Sequence, residues 1–361
     1  MSTYLIQDTT LSSIANAIRA KAGKSDAFTP AQMASEIENL PIGGGDVDAF
    51  IERTVSVIEN STVSRVGNYA FYNCSALTSV NLPLATTIGS SAFNDCNTLT
   101  LVHLPLATTI GNHAFYDCDA LASINLPSAT TIGSYAFYYC NTLTSVNLPL
   151  ATTIGGSAFY NCDALASINL PSATTIGVYA FGACDTLTSV NLPLVKTIGS
   201  AAFYNCPALT SVNLPSATTI GNSAFYKCTA LTSISLPSAT TIGSYAFYYC
   251  TTLTSIELPS ATTIGSSAFN DCMELTAVNL PAITTIRSYA FSGCFKLLSL
   301  YLTNSSMCYL QTSSAFNSTP IAGYTTSTGG VYGSIYVPAS LFESYKTRAN
   351  WSYFSSRFVS V

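Results

Sequence analysis

Cysteine recurs every 22 residues, from Cys74 through Cys96, Cys118 and onward to Cys294, eleven times without an insertion or deletion. No other feature constrains the fold as strongly. A fixed period of this size means one small unit stacked on copies of itself, a solenoid. It overrides any domain count drawn from the length of 361 residues.

The unit can be read from Leu77 to Cys96. Val80 and Leu82 alternate with Ser79 and Asn81, the period-two pattern of a strand with one buried face. Pro83 ends that strand because it cannot donate to a ladder, and ten prolines hold the equivalent place as far as Pro281. Thr86, Thr87 and Ile88 favour a second short extended stretch through β-branching. Gly89 is expected to supply a turn. Ala92, Phe93 and Cys96 have the spacing of one helical or 3-10 turn facing inward. Each coil thus offers Leu, Val or Ile, Leu, Ile, Ala, Phe and Cys to the interior. A single coil cannot bury them, so coils stack and their strands pair in parallel.

Twelve cysteines would suggest disulfides in a small secreted protein. Here they sit once per coil near a Phe, which reads as a column of buried thiols. Neighbours about 4.8 Å apart lie within Cα range of a disulfide, but parallel Cβ vectors and an odd number of stacked cysteines disfavour systematic pairing. Free structural thiols are expected.

These residues resemble the BspA-like leucine-rich repeats of bacteria, also called the Treponema pallidum type. The matching elements are the LxxVxLP strand, the Ile-Gly turn and the AFxxC segment, over about residues 55–338. The resemblance implies a parallel β-sheet on one face with short turns or 3-10 helices on the other, and an α-helical C-terminal cap. It also implies surface adhesins and host-interaction proteins, usually without catalysis. The unit is one residue shorter than the common family unit, and Ala85 and its equivalents stand where a larger aliphatic residue is usual. A tighter convex side is the expected consequence.

The ends differ from the middle. Within residues 1–42, Thr10 can cap a helix carrying Leu11, Ile14 and Ile18, and Thr29-Pro30-Ala31-Gln32 has capping-box form ahead of Met33, Ile37 and Leu40. This small helical hairpin resembles an N-terminal module of tail-associated proteins from phages and prophages of gut Firmicutes, which implies attachment to a particle. The other reading is an amphipathic cap over the first coil. Residues 43–54, with Gly43-Gly44-Gly45, read as linker and lead-in. The solenoid proper spans 55–302. Its first coil is degenerate, with Val55, Ile58, Val63 and Val66 one period before Leu77, Val80, Ala85 and Ile88. Residues 303–361 hold a further degenerate repeat, in which Phe316 follows Phe291 after 25 residues and Ile335-Tyr336-Val337-Pro338 revives the strand ending. Leu341, Phe342, Tyr345, Trp351, Tyr353, Phe354 and Phe358 then read as a cap over the open core.

Charged residues make up only 8% of the chain and the net charge is −5. Ordinary domains carry about 25%, so this surface is built from neutral polar groups. Nucleic acid is an unsuitable partner, since it demands clustered Lys and Arg. No apolar run reaches the roughly 18–20 residues of a membrane span, and MSTYLIQDTT has neither the basic nor the apolar region of a signal peptide. The pattern contains no carboxylate pair, Ser-His-Asp set, zinc spacing or phosphate loop, so neither catalysis nor a cofactor is expected. His103 lies on a strand and His113 in a turn, which does not suit a shared metal. Asp95, Asp117, Asp119, Asp163 and Asp271 lack the ligand density of a calcium site.

Two faces remain as candidate binding surfaces. On the strands, Ser79, Asn81, Asn125, Asn147, Asn169, Asn191 and Asn213 belong to polar ladders interrupted by His103, Ser235, Glu257 and Tyr301. Stacked amides bonding one another, or a repetitive hydrogen-bonding face for glycans, both fit. In the turns, Tyr116, Tyr138, Tyr139, Tyr248 and Tyr249 belong to a tyrosine-rich ridge whose residues change from coil to coil. Tyr offers large amphipathic contact area at low entropy cost, though tolerance at an exposed turn gives the same pattern. The reading that joins these features is a non-catalytic binding solenoid for a cell-surface glycan or protein. Residues 1–42 would mount it on phage or prophage tail proteins, in virions assembled in the bacterial cytoplasm. A bacterial cell-surface adhesin and a purely structural spacer are the alternatives. A homo-oligomer is compatible with all three.

Overall fold

The computed structural model describes residues 56–361. The expected hairpin over 1–42 and the linker over 43–54 lie outside the described residues. The described residues fall into two compact units, one ending at Pro149 and the other running from Leu150 to Val361.

In the first unit, parallel strands Val57–Glu59, Ser79–Asn81 and Leu101–His103 form one sheet, and Ser123–Asn125 pairs with Ser145–Asn147. Ile58 stands opposite Val80 and Val80 opposite Val102, so the degenerate first coil keeps the 22-residue register. A second column of two-residue strands begins at Arg65–Val66 and passes through Thr87–Ile88 and Thr109–Ile110 to Thr131–Ile132.

The second unit repeats the plan. Ser167–Asn169, Ser189–Asn191 and Ser211–Asn213 form one parallel sheet, and a six-stranded sheet runs from Ser233–Ser235 to Phe358–Ser360. Its second column runs from Thr153–Ile154 to Tyr309–Leu310. The expected parallel solenoid of 22-residue coils is the observed fold.

The core is the predicted set. Val80, Ala85, Ile88, Ala92, Phe93 and Cys96 are fully buried, as are their equivalents in middle coils such as Phe181 and Cys184. The phenylalanine rings stack face to face, 5.2 Å apart for Phe93 and Phe115 and 5.5 Å for Phe181 and Phe203. All twelve cysteines are buried and none forms a disulfide. The thiol of Cys96 donates to the Phe71 carbonyl of the previous coil at 3.2 Å, and Cys206 donates to Phe181 at 3.1 Å. Burial pushes the Cys140 and Cys206 thiols up to about 12.

Two local expectations are corrected. The Ala-Phe-x-x-Cys segment is a series of turns with alternating hydrogen bonds, and the regular coils contain no 3-10 helix among the described residues. Ser91, Phe93 and Asp95 donate their N–H groups to Asn112, Ala114 and Tyr116 of the next coil, while Ala92 and Asn94 bond back to Gly89 and Ser91. Ser91 (φ 54°) and Asp95 (φ 60°) are left-handed, and this recurs twice per coil. The second correction concerns Gly89, whose φ is not positive. A Cβ there would stand 2.6 Å from the Asn68 N and Gly67 C atoms of the previous coil. Glycine eases close stacking there, although Arg287 holds the equivalent place in a later coil; Gly89 opens the turn by accepting from Ala92, and the left-handed positions are taken by residues with side chains.

At the C-terminal end, Phe316 continues the stack on Phe291 at 5.7 Å, with the rings 5° from parallel. The longer interval of 25 residues is absorbed by the chain between them. Ser334–Val337 joins Ser299–Tyr301 in register, and Phe358–Ser360 adds beside it. A helix, Phe342–Thr347, and a 3-10 stretch, Ser352–Arg357, complete the cap. Tyr345, Trp351, Phe354 and Phe358 are buried, whereas Tyr353 is 75% exposed and takes no part in the covering. The Trp351 indole donates to the Cys308 carbonyl at 2.8 Å, and the Cys308 N–H donates to the Tyr345 hydroxyl at 2.8 Å.

Candidate binding faces

Each sheet strand holds two outward side chains. Ser79 and Asn81 occupy these places in one coil and Leu101 and His103 in the next. The ladder reading is realised in pieces. Asn147 donates to Asn125 at 2.7 Å, Asn191 to Asn169 at 2.8 Å and Asn213 to Asn191 at 2.7 Å. These amides therefore spend one donor and one acceptor on each other. The Ser235 hydroxyl donates to the Glu257 carboxylate at 2.6 Å, so the two interruptions form a pair of their own. Asn81 lies between Glu59 and His103 in register, and its Oδ1 is buried without a hydrogen-bond partner. Glu59 is a ladder position absent from the sequence candidates, although the register of Ile58 with Val80 already places it opposite Asn81.

Threonines beside the strands are equally committed. Thr100 donates its hydroxyl to the Thr78 carbonyl at 3.1 Å, and Thr254 donates to Thr232 at 3.0 Å. The strand face is thus largely self-satisfied, which favours the structural reading of its ladders.

The turn ridge is different. Three positions flank each buried Ala-Phe pair and its Cys; the first is exposed where it holds Tyr and buried at Ser91, Ser157, Ala201 and Ser267. The first precedes Ala and is left-handed: Tyr69, Ser91, His113 and Tyr135 in the first unit, with φ of 58°, 54°, 56° and 59°. The second follows Phe and includes Tyr116, Tyr138 and Tyr248. The third precedes Cys and is again left-handed, as at Tyr139 (φ 59°) and Tyr249 (φ 60°). Tyr116 stacks on Tyr138 at 5.0 Å, and Tyr226 stacks on Tyr204 at 4.8 Å and on Tyr248 at 5.0 Å. His113 stacks on Tyr135 at 4.8 Å, and partial burial lowers its pKa. His103 is on a strand, so the two histidines occupy separate segments of the coil. Among the described residues, no cluster of three or more His, Cys, Asp or Glu could hold a metal ion. Among them also, no helix is long and apolar enough to cross a membrane.

The left-handed positions were the feature least visible beforehand. A signal existed: Asn73, Asp95, Asp117, Asn161, Asn205 and Asp271 hold the third position in six coils, and Asn and Asp tolerate that conformation best after glycine.

The family profile described as BspA type leucine rich repeat region (6 copies) matches residues 49–153, 108–232, 152–259 and 218–329. No curated protein matches the chain significantly. Among solved structures, a leucine-rich repeat protein from Bacteroides ovatus is 27% identical, with a TM-score of 0.57 over 86% of this chain and 84% of its own. A leucine rich cell surface protein from Faecalibacterium prausnitzii is 28% identical, with a TM-score of 0.46 over 81% of this chain and 86% of its own. The T. pallidum leucine-rich repeat protein is 30% identical, with a TM-score of 0.36 over 47% of this chain and 72% of its own.

Proposed function

Because the chain belongs to the BspA-type leucine-rich repeat family, we propose that it is a non-catalytic binding protein whose turn ridge recognises a glycan or protein on a cell surface. The observation that carries this reading is the placement of exposed aromatics on strained backbone. Tyr69, Tyr135, Tyr179, Tyr245 and Tyr289 are left-handed and 39–59% exposed. A left-handed residue with a side chain costs roughly 1–2 kcal/mol, and Ser, Asn or Asp would meet the backbone need as well. Large exposed rings there add little to the core. They supply a preorganised, neutral contact surface instead, of the kind Tyr provides in binding loops.

In this reading the strand face mainly holds the stack together, and residues 1–42 attach the chain to a larger assembly. A phage or prophage tail is the assembly that the hairpin's sequence supports; a bacterial cell surface is the alternative site of display. The test is a pull-down of the full chain with bacterial cell envelopes at low and at about 0.5 M salt. Binding that changes little with salt is expected, because screening acts on charges and only 8% of the residues carry one. Loss of binding at high salt contradicts the neutral ridge. Absence of binding at either salt, with the chain still incorporated in particles, makes it a spacer.

A further inference from the structure

The ridge varies from coil to coil, yet two octapeptides occur in it twice: Gly-Ser-Ser-Ala-Phe-Asn-Asp-Cys at 89–96 and 265–272, and one that carries three tyrosines. Gly133-Ser134-Tyr135-Ala136-Phe137-Tyr138-Tyr139-Cys140 is repeated as Gly243-Ser244-Tyr245-Ala246-Phe247-Tyr248-Tyr249-Cys250, five coils later. The identity extends back through the second strand to the strand ending, over Leu126–Cys140 and Leu236–Cys250. Elsewhere in the same two coils Asn141 becomes Thr251, Asn147 becomes Glu257 and Leu150 becomes Ser260. The residue below the octapeptide's central tyrosine is also shared, as Tyr116 in one case and Tyr226 in the other.

The structure gives the two copies the same backbone and the same arrangement of their first two tyrosines. Tyr135 and Tyr245 both have φ 59°, and Tyr139 and Tyr249 have 59° and 60°. All four are exposed, at 39%, 45%, 37% and 39%. Tyr135 meets Tyr138 at 5.4 Å and 56°, and Tyr245 meets Tyr248 at 5.8 Å and 55°. Each central ring rests on the tyrosine of the previous coil at 5.0 Å. The last ring turns differently, at 72° to Tyr138 in one copy and 23° to Tyr248 in the other.

We propose that these are two equivalent binding sites for the same uncharged sugar unit, so that one chain engages a repeating neutral glycan twice. This rests on the ridge being the binding face. The charge around the two copies decides the class of ligand. Asp117, beside Tyr116, adjoins the first copy, whereas the second has Lys227, whose ammonium lies 5.6 Å from the Tyr226 ring centre, and Asp271, whose charge acts on Tyr248. A charged ligand would meet a net acidic field at the first place and a balanced pair at the second. What they share is ring faces and phenol hydroxyls. Ring faces attract the polarised C–H groups of a sugar through their negative quadrupole, and the hydroxyls bond to its oxygens. Two equal sites on one chain raise the affinity for a polymer over that for its unit.

The experiment is calorimetric titration of the full chain with a panel of uncharged oligosaccharides: gluco-, galacto-, manno- and N-acetylglucosamine oligomers of four to six sugars. Two variants remove one copy each: Tyr135→Ser, Tyr138→Asn, Tyr139→Asn, and Tyr245→Ser, Tyr248→Asn, Tyr249→Asn. The repeat already uses these residues at the same positions in Ser91, Asn94 and Asn73, which preserves the fold. The expected result is two sites of one affinity in the parent, one site of unchanged affinity in each variant, and none in the combined variant. Sugar binding that survives in the combined variant, or that falls in only one single-copy variant, overturns the twin sites and leaves the broader reading standing. No binding by any oligomer overturns the sugar assignment, and the envelope pull-down then judges the broader reading by itself.

Discussion

At the residue scale, the coil is set by side chains that are small, apolar or able to hold a left-handed turn. Gly199 shows the first requirement: a Cβ there would lie 2.6 Å from the Gly177 backbone. Cys206 shows the second, since its thiol fills the core and bonds a carbonyl of the coil before it. Its pKa, like that of Cys140 and Cys308, is raised to about 12 by burial. Tyr345 shifts in the same sense, to about 12, for the same reason. The pH dependence follows. An acid whose folded pKa is raised contributes stability fully below its unfolded pKa, near 9 for the thiols, and loses it as pH rises toward the folded value. Urea midpoints should therefore be lower at pH 10.5 than at pH 8, and iodoacetamide should label the thiols only in unfolded protein. Midpoints that stay level over that range would show thiols open to solvent. The inward thiols were legible from period and spacing alone. The left-handed turns were not, because Tyr, Ser, Ala and His share those positions and obscure the Asn and Asp that mark them.

At the scale of the element, the unit of stability is the coil against its neighbours. Three columns of inter-coil hydrogen bonds, in the two strand segments and the turn, run beside the stacked phenylalanines. Phe181 lies between neighbours in the second unit, fully buried and 5.4 and 5.5 Å from the adjoining rings. Phe181→Ala should cost about 3–5 kcal/mol in denaturant melts, the range for emptying a large core site. A cost under about 1 kcal/mol would mean that the ring column does not carry the stack. Strand lengths and register could be read from the Val-x-Leu-Pro pattern. The inward spacing of Ala92, Phe93 and Cys96 fits a helical or 3-10 turn, but several backbone paths satisfy it. The path taken sends alternate N–H groups to the next coil, and such partners lie 21 residues away, beyond what local spacing reveals. The cap was legible as an aromatic cluster, yet Tyr353 has the same composition signal as Tyr345 and points to solvent. Composition names candidates, and packing selects among them.

At the scale of the whole molecule, repetition separates two tasks. The strand face spends its amides and hydroxyls on the coils beside it, as the Asn169–Asn191–Asn213 ladder does. The turn ridge leaves aromatic surface in solvent. Its division from the strand face is the central claim, and it can be tested by comparing two full-chain variants in envelope pull-downs. In one, Tyr135, Tyr138, Tyr139, Tyr245, Tyr248 and Tyr249 are replaced by Ser or Asn; in the other, Asn169, Asn191 and Asn213 are replaced by Ser, the residue found naturally at Ser235. The ridge variant should lose at least about tenfold in affinity, roughly 1.4 kcal/mol, while the strand variant stays within about twofold, under half a kcal/mol. Loss of binding in the strand variant with the ridge variant unaffected would contradict the account.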